Sequence, residues 1–354
     1  MRFLLCCLFL FVSDALAAQS APKPIPVKVV VVAMFEQGAD TGDQPGELQY
    51  WVERDHLDTI YPLPGAWHDA RMNADGELAI VTGQGTAHAA ATIMALGLDP
   101  RFDFSHAYWL VAGIAGGNPE RVSLGSAAWA NYVVDSDLSY EIDPREIPSG
   151  WTTGKLPLRK KSPFEPPAAP LPGQLFETNH ALTQWAYSLT KDTPLADSDH
   201  LKEIRSGFIG AAAHNPPGVY LGDEITGSAY WHGKLMDEWA NRWMDYFTGR
   251  QGHFATTAME DTGSLLSLQF LAKAGKVDAS RVLVLRAVSN YDQQPQGLDA
   301  ASSLARQRIG AYGAYLPSLE AAYRVGHTVV AELLKNWPQY RDHIPTGSAE
   351  SVQK

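Results

Sequence analysis

Cysteine is almost missing from this chain. The only two among 354 residues are Cys6 and Cys7, both inside the N-terminal apolar run. Everything after them can form no disulfide and offers no thiol nucleophile. Excess positive charge is missing as well, since 28 Lys and Arg stand against 39 Asp and Glu, a formal charge of -11. A nucleic-acid or anionic-membrane partner would require a basic face, so this balance argues against both. Past the N-terminal run no segment approaches the roughly 18 uninterrupted apolar residues of a spanning helix. The 11 histidines include no H-E-x-x-H or other tight ligand cluster, which excludes a recognisable catalytic metal site. G-x-S-x-G and G-x-G-x-x-G are also absent, removing the hydrolase elbow and the dinucleotide fingerprint. No metal and no cofactor is expected.

What is present begins with "MRFLLCCLFLFVSDALAAQ". One Arg, an apolar run from Phe3 to Val12 and the small-residue site Ala15-Leu16-Ala17 form the layout of a secretory signal peptide. Residues 1–18 are assigned to it, with cleavage after Ala17 or Ala18. The remaining chain is expected to be exported, periplasmic or secreted, and without a membrane span.

Downstream, "VKVVVVAMF" reads as a strand buried on both faces, and a helix is expected from Glu47 to about Leu57. "ELAIVTGQGTAHAAATIMALGL" reads as strand, glycine turn and helix. "HAYWLVAGIAGGNPE" reads as a strand entering a glycine-rich turn, and "GSAAWANYVVDSDL", "GHFATTAM" and "RVLVLRAVSN" as further strands. Strands alternating with helices predict a three-layer α/β fold with a central, mostly parallel sheet. Residues 25–345 are expected to form one domain, with a Pro-rich surface excursion at about 147–172. Helical periodicity runs from about Ser302 to Trp337. Ligands of such sheets sit at the carboxyl ends of strands.

Three strand ends carry chemistry. Gly113 to Gly117, "GIAGG", is either a tight turn or a place where backbone N–H groups meet an anion or water. In "AMEDTG", Glu260 stands at a strand end, where a carboxylate can accept two hydrogen bonds from a vicinal diol; the alternative is an acidic helix start. In "LRAVSNYDQ", Arg286 lies in an apolar run and needs an anionic partner, structural or functional. Asn290 offers a donor and an acceptor to a base edge. His232 reads as a capping or packing residue and Trp231, Trp239 and Trp243 as mainly core residues, although Tyr230 or Trp231 can stack on a flat ligand.

The segments "VVVVAMFEQGADTGDQPGE", "GIAGGNPE", "GSAAWANYVVDSDLSYEIDPRE", "SAYWHGKLMDEWANRW", "TTAMEDTG" and "RVLVLRAVSNYD" together resemble the purine nucleoside permease family across nearly the whole mature chain. More distantly, the order of motifs is similar to the nucleoside phosphorylase and nucleosidase superfamily, which implies a nucleoside phosphorylase-like fold. The resemblance carries Met259 and Glu260 onto a ribose-binding Met-Glu pair, leaving Asp261 as the helix-start residue. It carries Gly113, Ala115 and Gly116 onto the turn that cradles the nucleophile, and Arg286 and Ser289 onto an Arg-x-x-Ser-Asp motif. Asn290 replaces that motif's Asp, the acid of the superfamily, and Asp292 is a second candidate proton donor. The water-positioning Glu of the nucleosidases corresponds to Glu36 or Glu47, with "GELQYW" favouring Glu47. The Arg that binds phosphate in hexameric phosphorylases has no counterpart in "WLVAGIAGG".

A secondary transporter needs many spanning helices, so the family's permease label is read as a phenotype of nucleoside uptake. The expected function is hydrolysis of a purine nucleoside to base and ribose. Glu47 and Arg286 would orient water, and Asn290 with Ser289 would stabilise the departing purine. A phosphorylase using phosphate as co-substrate and a nucleoside-binding protein that assists uptake are the alternatives; a storage role ranks behind them. Base preference and homo-oligomer formation stay open.

Overall fold

The computed structural model describes residues 22–310 and 312–347. The signal-peptide assignment therefore lies outside the described residues. Eleven segments position the cleft discussed below, and the first is β1, Val29–Ala33, with every residue buried. Helix α1, Gln49–Arg54, is followed by β2, Glu77–Val81, and α2, Thr86–Gly97. The long central strand β3 spans Tyr108–Gly117. Next come β4, Asp223–Thr226, and α3, Lys234–Thr248. Strand β5, Phe254–Ala258, leads into α4, Asp261–Lys273; β6, Val282–Tyr291, and α5, Tyr315–Lys335, follow.

β1 lies parallel to both β2 and β3, and β6 runs parallel to β3 along its whole length. Since β6 fills one edge of β3, β1 and β5 share the other: β1 takes Tyr108–Val111, and β5 meets Gly116 and Gly117 antiparallel. The sheet is therefore mixed. Alternation of side chains along each strand divides the core between its two faces. Val29, Val31 and Ala33 pack with Leu110, Leu285 and helices α1 and α5. Val30 and Val32 pack with Val111, Val284 and helices α2 and α4 on the other face. This is the expected α/β architecture, with helices on both faces of a central sheet.

Three local expectations are corrected. The stretch Gly113–Gly117 is strand, not turn, because β6 and β5 supply ladder partners through to Gly117. "GSAAWANYVVDSDL" is two strands, Ala127–Trp129 and Tyr132–Asp135, which join different parts of the sheet. The helix after Glu47 is only six residues long. Its start is set by Glu36, whose carboxylate accepts the N–H groups of Leu48 at 3.0 Å and Gln49 at 2.7 Å. The 147–172 segment is irregular apart from Lys155–Pro157, which pairs antiparallel with Ser139–Glu141.

Candidate active site

The ends of β1, β3, β5 and β6 converge on an open cleft that encloses about 690 Å³, its mouth included. Eight of the ten residues singled out from the sequence line it: Glu47, Ala115, Gly116, Met259, Glu260, Ser289, Asn290 and Asp292. Gly113 and Arg286 stand behind the wall. Glu36 is not in the lining either; its carboxylate is occupied by the N–H groups of Gln37, Gly46, Leu48 and Gln49.

Glu47 is held from both sides. Its Oε2 accepts the Met34 N–H at 2.7 Å, and its Oε1 accepts the Ile114 N–H at 2.6 Å. The end of β1 and the middle of β3 thus clamp one carboxylate at the cleft floor. Gly113 makes this approach feasible, because a Cβ there would collide with the Glu47 carboxylate and the Met34 methyl. Burial pushes the Glu47 carboxyl up to about 8, with the Glu260 charge adding and the Arg286 charge opposing.

Glu260 follows β5 and makes no side-chain cap to α4. Its Oε1 accepts the Gly85 N–H at 3.3 Å, so the turn "TGQGTAH" reaches across to hold it. Its Oε2 accepts the Met259 N–H at 3.1 Å and the Arg286 Nη2 at 3.3 Å. Burial raises its carboxyl above the ordinary range, against the pull of Arg286.

Arg286 finds the anionic partner that its burial demands. Its Nε donates to Asp261 Oδ2 at 2.9 Å, its Nη2 also donates to Asp261, and its Nη1 donates to the Ile114 carbonyl at 3.1 Å. Asp261 opens α4 as expected, but its side chain is committed to this pair. Burial alone would raise the Asp261 carboxyl; the Arg286 charge, with the neighbouring Glu224 carboxyl and the Arg286 hydrogen bonds, brings it below the ordinary range. Glu224, wholly buried on β4, is pushed far up by burial and by Asp261, against the charge of Arg286, whose Nε lies 3.7 Å away. With its donors so placed, Arg286 braces Glu260 and makes no hydrogen bond to Glu47.

On the opposite side, Ser289 Oγ lies 3.1 Å from the Ala115 carbonyl and 2.8 Å from Asn290 Oδ1. Asn290 Nδ2 donates to Gln307 Oε1 at 2.8 Å and to the Tyr230 hydroxyl at 3.1 Å. Tyr230, Trp231, Ile309 and Tyr312 give this end a mostly apolar, aromatic lining suited to a flat ring. Asp292 is buried, and neither of its carboxylate oxygens receives an N–H or O–H among the described residues. Among the described residues, no Lys or Arg lines the cleft.

Sequence reasoning passed over Glu224, Asp237, Gln307 and Tyr312. Asp237 carried a usable signal: it shares a helical stripe with Ala240 and Met244, where an acid on an apolar face calls for a partner. Gln307 lies beyond any helix in a run of turns, and nothing local marks it.

Among solved structures, the fold is similar to futalosine hydrolase of Helicobacter pylori, with a TM-score of 0.52 and 14% identity, covering 87% of this chain and 98% of that one. A point mutant of the Helicobacter pylori nucleosidase MTAN, solved with 5'-methylthioadenosine in its active site, gives 0.52 and 14% over 87% of this chain and 99% of that one. Among curated proteins, a "probable purine nucleoside permease" of Schizosaccharomyces pombe is 32% identical over 268 residues, 73% of this chain and 76% of its own length. The purine nucleoside permease of Candida albicans is 26% identical over 329 residues, 91% of this chain and 79% of its own. No helix among the described residues is long and apolar enough to cross a membrane. The profile of the purine nucleoside permease (NUP) family matches residues 26–345, so the chain belongs to that family.

Proposed function

We propose that this protein is an exported purine nucleosidase, cleaving the N-glycosidic bond to free base and ribose. The observation that carries the reading is one cleft with two differently held carboxylates, Glu47 and Glu260, and, among the described residues, no cation in its lining. Glu260 receives the ribose hydroxyls. Arg286 and Gly85 fix its oxygens, so it holds the sugar without reorganising and steadies the positive charge that grows on the ring. Glu47 orients water beside Ala115 and Gly116 and takes its proton as the oxygen bonds to C1'. Ser289 and Asn290 face the purine, and the aromatic end of the cleft stacks on it. Asp292 supplies the proton that the purine takes up with the electron pair of the broken bond.

Phosphate in the same place would face Glu47 and Glu260 with no Lys or Arg among the described residues lining the cleft to offset its charge, which favours water as nucleophile. The names of the relatives favour a second reading, a nucleoside-binding protein that assists uptake. Chromatography of inosine and adenosine incubated with the purified protein, with and without phosphate, separates these readings. Free base and ribose without phosphate are expected. Ribose 1-phosphate formed only with phosphate would make it a phosphorylase, and saturable binding without products would leave the uptake role. Amino-terminal sequencing of protein recovered outside the cytoplasm should begin at Ala18 or Gln19.

A further inference from the structure

The proton assigned to Asp292 needs a reason to be there at neutral pH, and that reason is a second acid. Asp237, in the first turn of the 15-residue helix α3, lies with its carboxyl against that of Asp292: the Asp237 N–H donates to the Gly233 carbonyl, and the Gly233 N–H donates to the Asp292 carbonyl. Both residues are buried, at 5% and 2% exposure. Neither Asp292 oxygen, nor Asp237 Oδ1, meets any donor among the described residues. Two buried carboxyl groups in contact, with one amide donor at 3.3 Å between them, can stay together only if one holds a proton, because two adjacent buried anions would repel. The backbone fixes the meeting: the Gly233 N–H at the start of α3 donates to the Asp292 carbonyl at 2.8 Å, and the Asp292 N–H donates to the Gly117 carbonyl at 3.1 Å.

We propose that Asp237 is the positioning residue that keeps a proton on Asp292, so that this acid pair protonates the departing purine. The proposal rests on reading the cleft as a nucleoside site. Only Asp292 lines that cleft; Asp237 stands behind it and acts through it. This division answers a difficulty posed by Asn290, which can hydrogen-bond to a purine but cannot give up a proton at neutral pH. As the glycosidic bond breaks, its electron pair goes to the purine nitrogen. The Asp292 proton moves to the purine, and the resulting Asp292 anion stands beside the Asp237 anion. Water bonded to C1' gives its proton to Glu47. The like-charged pair then regains a proton from solvent.

The surroundings favour retention of the proton. Burial pushes Asp237 up to about 6, and the acidic side chains of Glu120, after β3, and Glu238, on α3, add to this. The contact with Asp292 opposes the rise. Asp292 is pushed well above the ordinary carboxylate range by burial and then by Asp237. The Asn241 amide is a donor to Asp237 and none reaches Asp292 among the described residues, which favours the anion on Asp237 and leaves the proton on Asp292, the member facing the cleft. Near Asp237 the Asn241 amide donates to Oδ2 at 3.3 Å, and near Asp292 the remaining titratable neighbours are the Tyr230 and Tyr291 hydroxyls.

The test compares wild type with Asp237→Asn, Asp237→Ser and Asp292→Asn, on inosine and on 4-nitrophenyl β-D-ribofuranoside, whose leaving group departs without a proton. Asp237→Asn should shift the alkaline limb of kcat on inosine to lower pH. Both Asp237 variants and Asp292→Asn should lose about 10²-fold on inosine at neutral pH and far less on the aryl riboside. An unmoved alkaline limb in folded Asp237→Asn, or equal losses on both substrates, would overturn the assignment. Infrared spectroscopy of the same proteins is independent of turnover. A protonated-carboxyl C=O band present in wild type should vanish both in Asp292→Asn and in Asp237→Asn, or in Asp237→Ser should Asp237→Asn not fold. Absence of any such shared band sinks the acid pair itself. If the band behaves as expected but no protein splits either substrate, the hydrolytic reading fails and the proposed proton donation falls with it, leaving only the buried pair.

Discussion

At the scale of single residues, the cleft has a division of labour among carboxylates that differ little in chemistry and greatly in surroundings. Glu260 is anchored by a cation and two N–H groups, and Glu47 by two N–H groups alone. Replacing Glu260 by Ala leaves Arg286 still bonded to Asp261 and to the Ile114 carbonyl, so the core should survive. The expected outcome of Glu260→Ala is loss of both turnover and nucleoside affinity, read by calorimetric titration; normal affinity would remove Glu260 from the ribose site. Glu47→Gln should spare affinity and lower kcat by about 10²–10⁴-fold, the range for a lost general base. The pH profile gives a sharper check. Glu47 acts as a base only when ionised, and burial raises its carboxyl to about 8. Hence kcat/KM should climb with pH until about 8, rather than level off just above the usual carboxylate range. A plateau already established at mildly acidic pH would discard Glu47 as the base.

At the scale of elements, the end of β3 shows why glycine recurs where no turn exists. Gly113 leaves room for Glu47, Gly116 for the Thr257 hydroxyl and Gly117 for Val288. An added methyl in so tight a space should cost about 1–3 kcal/mol at each position. Gly113→Ala should also displace Glu47 and lower kcat, while Gly117→Ala, which presses on Val288, should destabilise the protein with a much smaller kinetic effect. Melting curves and turnover of the two variants test this contrast; equal kinetic losses would mean that Gly113 has no special tie to Glu47. The same strand marks the limit of reading structure from sequence. The Val-rich strand β1 and the carboxylate after β5 were legible, because an unbroken apolar run followed by an acid is a local pattern. "GIAGG" misled as a turn, since its glycines answer to neighbours far along the chain. Helix α1 starts later than expected because Glu36, well before Glu47 in the chain, sets its start. The partnership of Asp237 with Asp292 joins residues on α3 and after β6, and only the folded sheet brings them together.

At the scale of the whole molecule, placing uncharged carboxyl groups in the interior ties stability to pH. Glu47 moves from 4.5 to about 8 on folding and Asp237 from 3.8 to about 6; burial is the main cause of each shift. Glu224 and Asp292 move in the same direction. For a carboxyl raised in this way the folded state binds the proton more tightly. Its stabilising contribution is full below the unfolded value and disappears as pH rises through the folded value. The carboxyls held low by partners, such as Asp40 beside His68 and Arg71, work oppositely, but their contribution is lost only at acidic pH, below 3.8. The two sets therefore act in different intervals, and between roughly pH 5 and pH 8 the raised set governs the slope. The melting temperature should fall across that interval, and Glu47→Gln, which cannot titrate, should fall less. A nucleoside that binds only the folded protein should add about 2.7 kcal/mol at a hundred times its Kd. Flat or rising melting temperatures between those pH values would mean that these carboxyls are ionised in the folded state. Neutral Glu47 and the proton on Asp292 would then both have to be given up together.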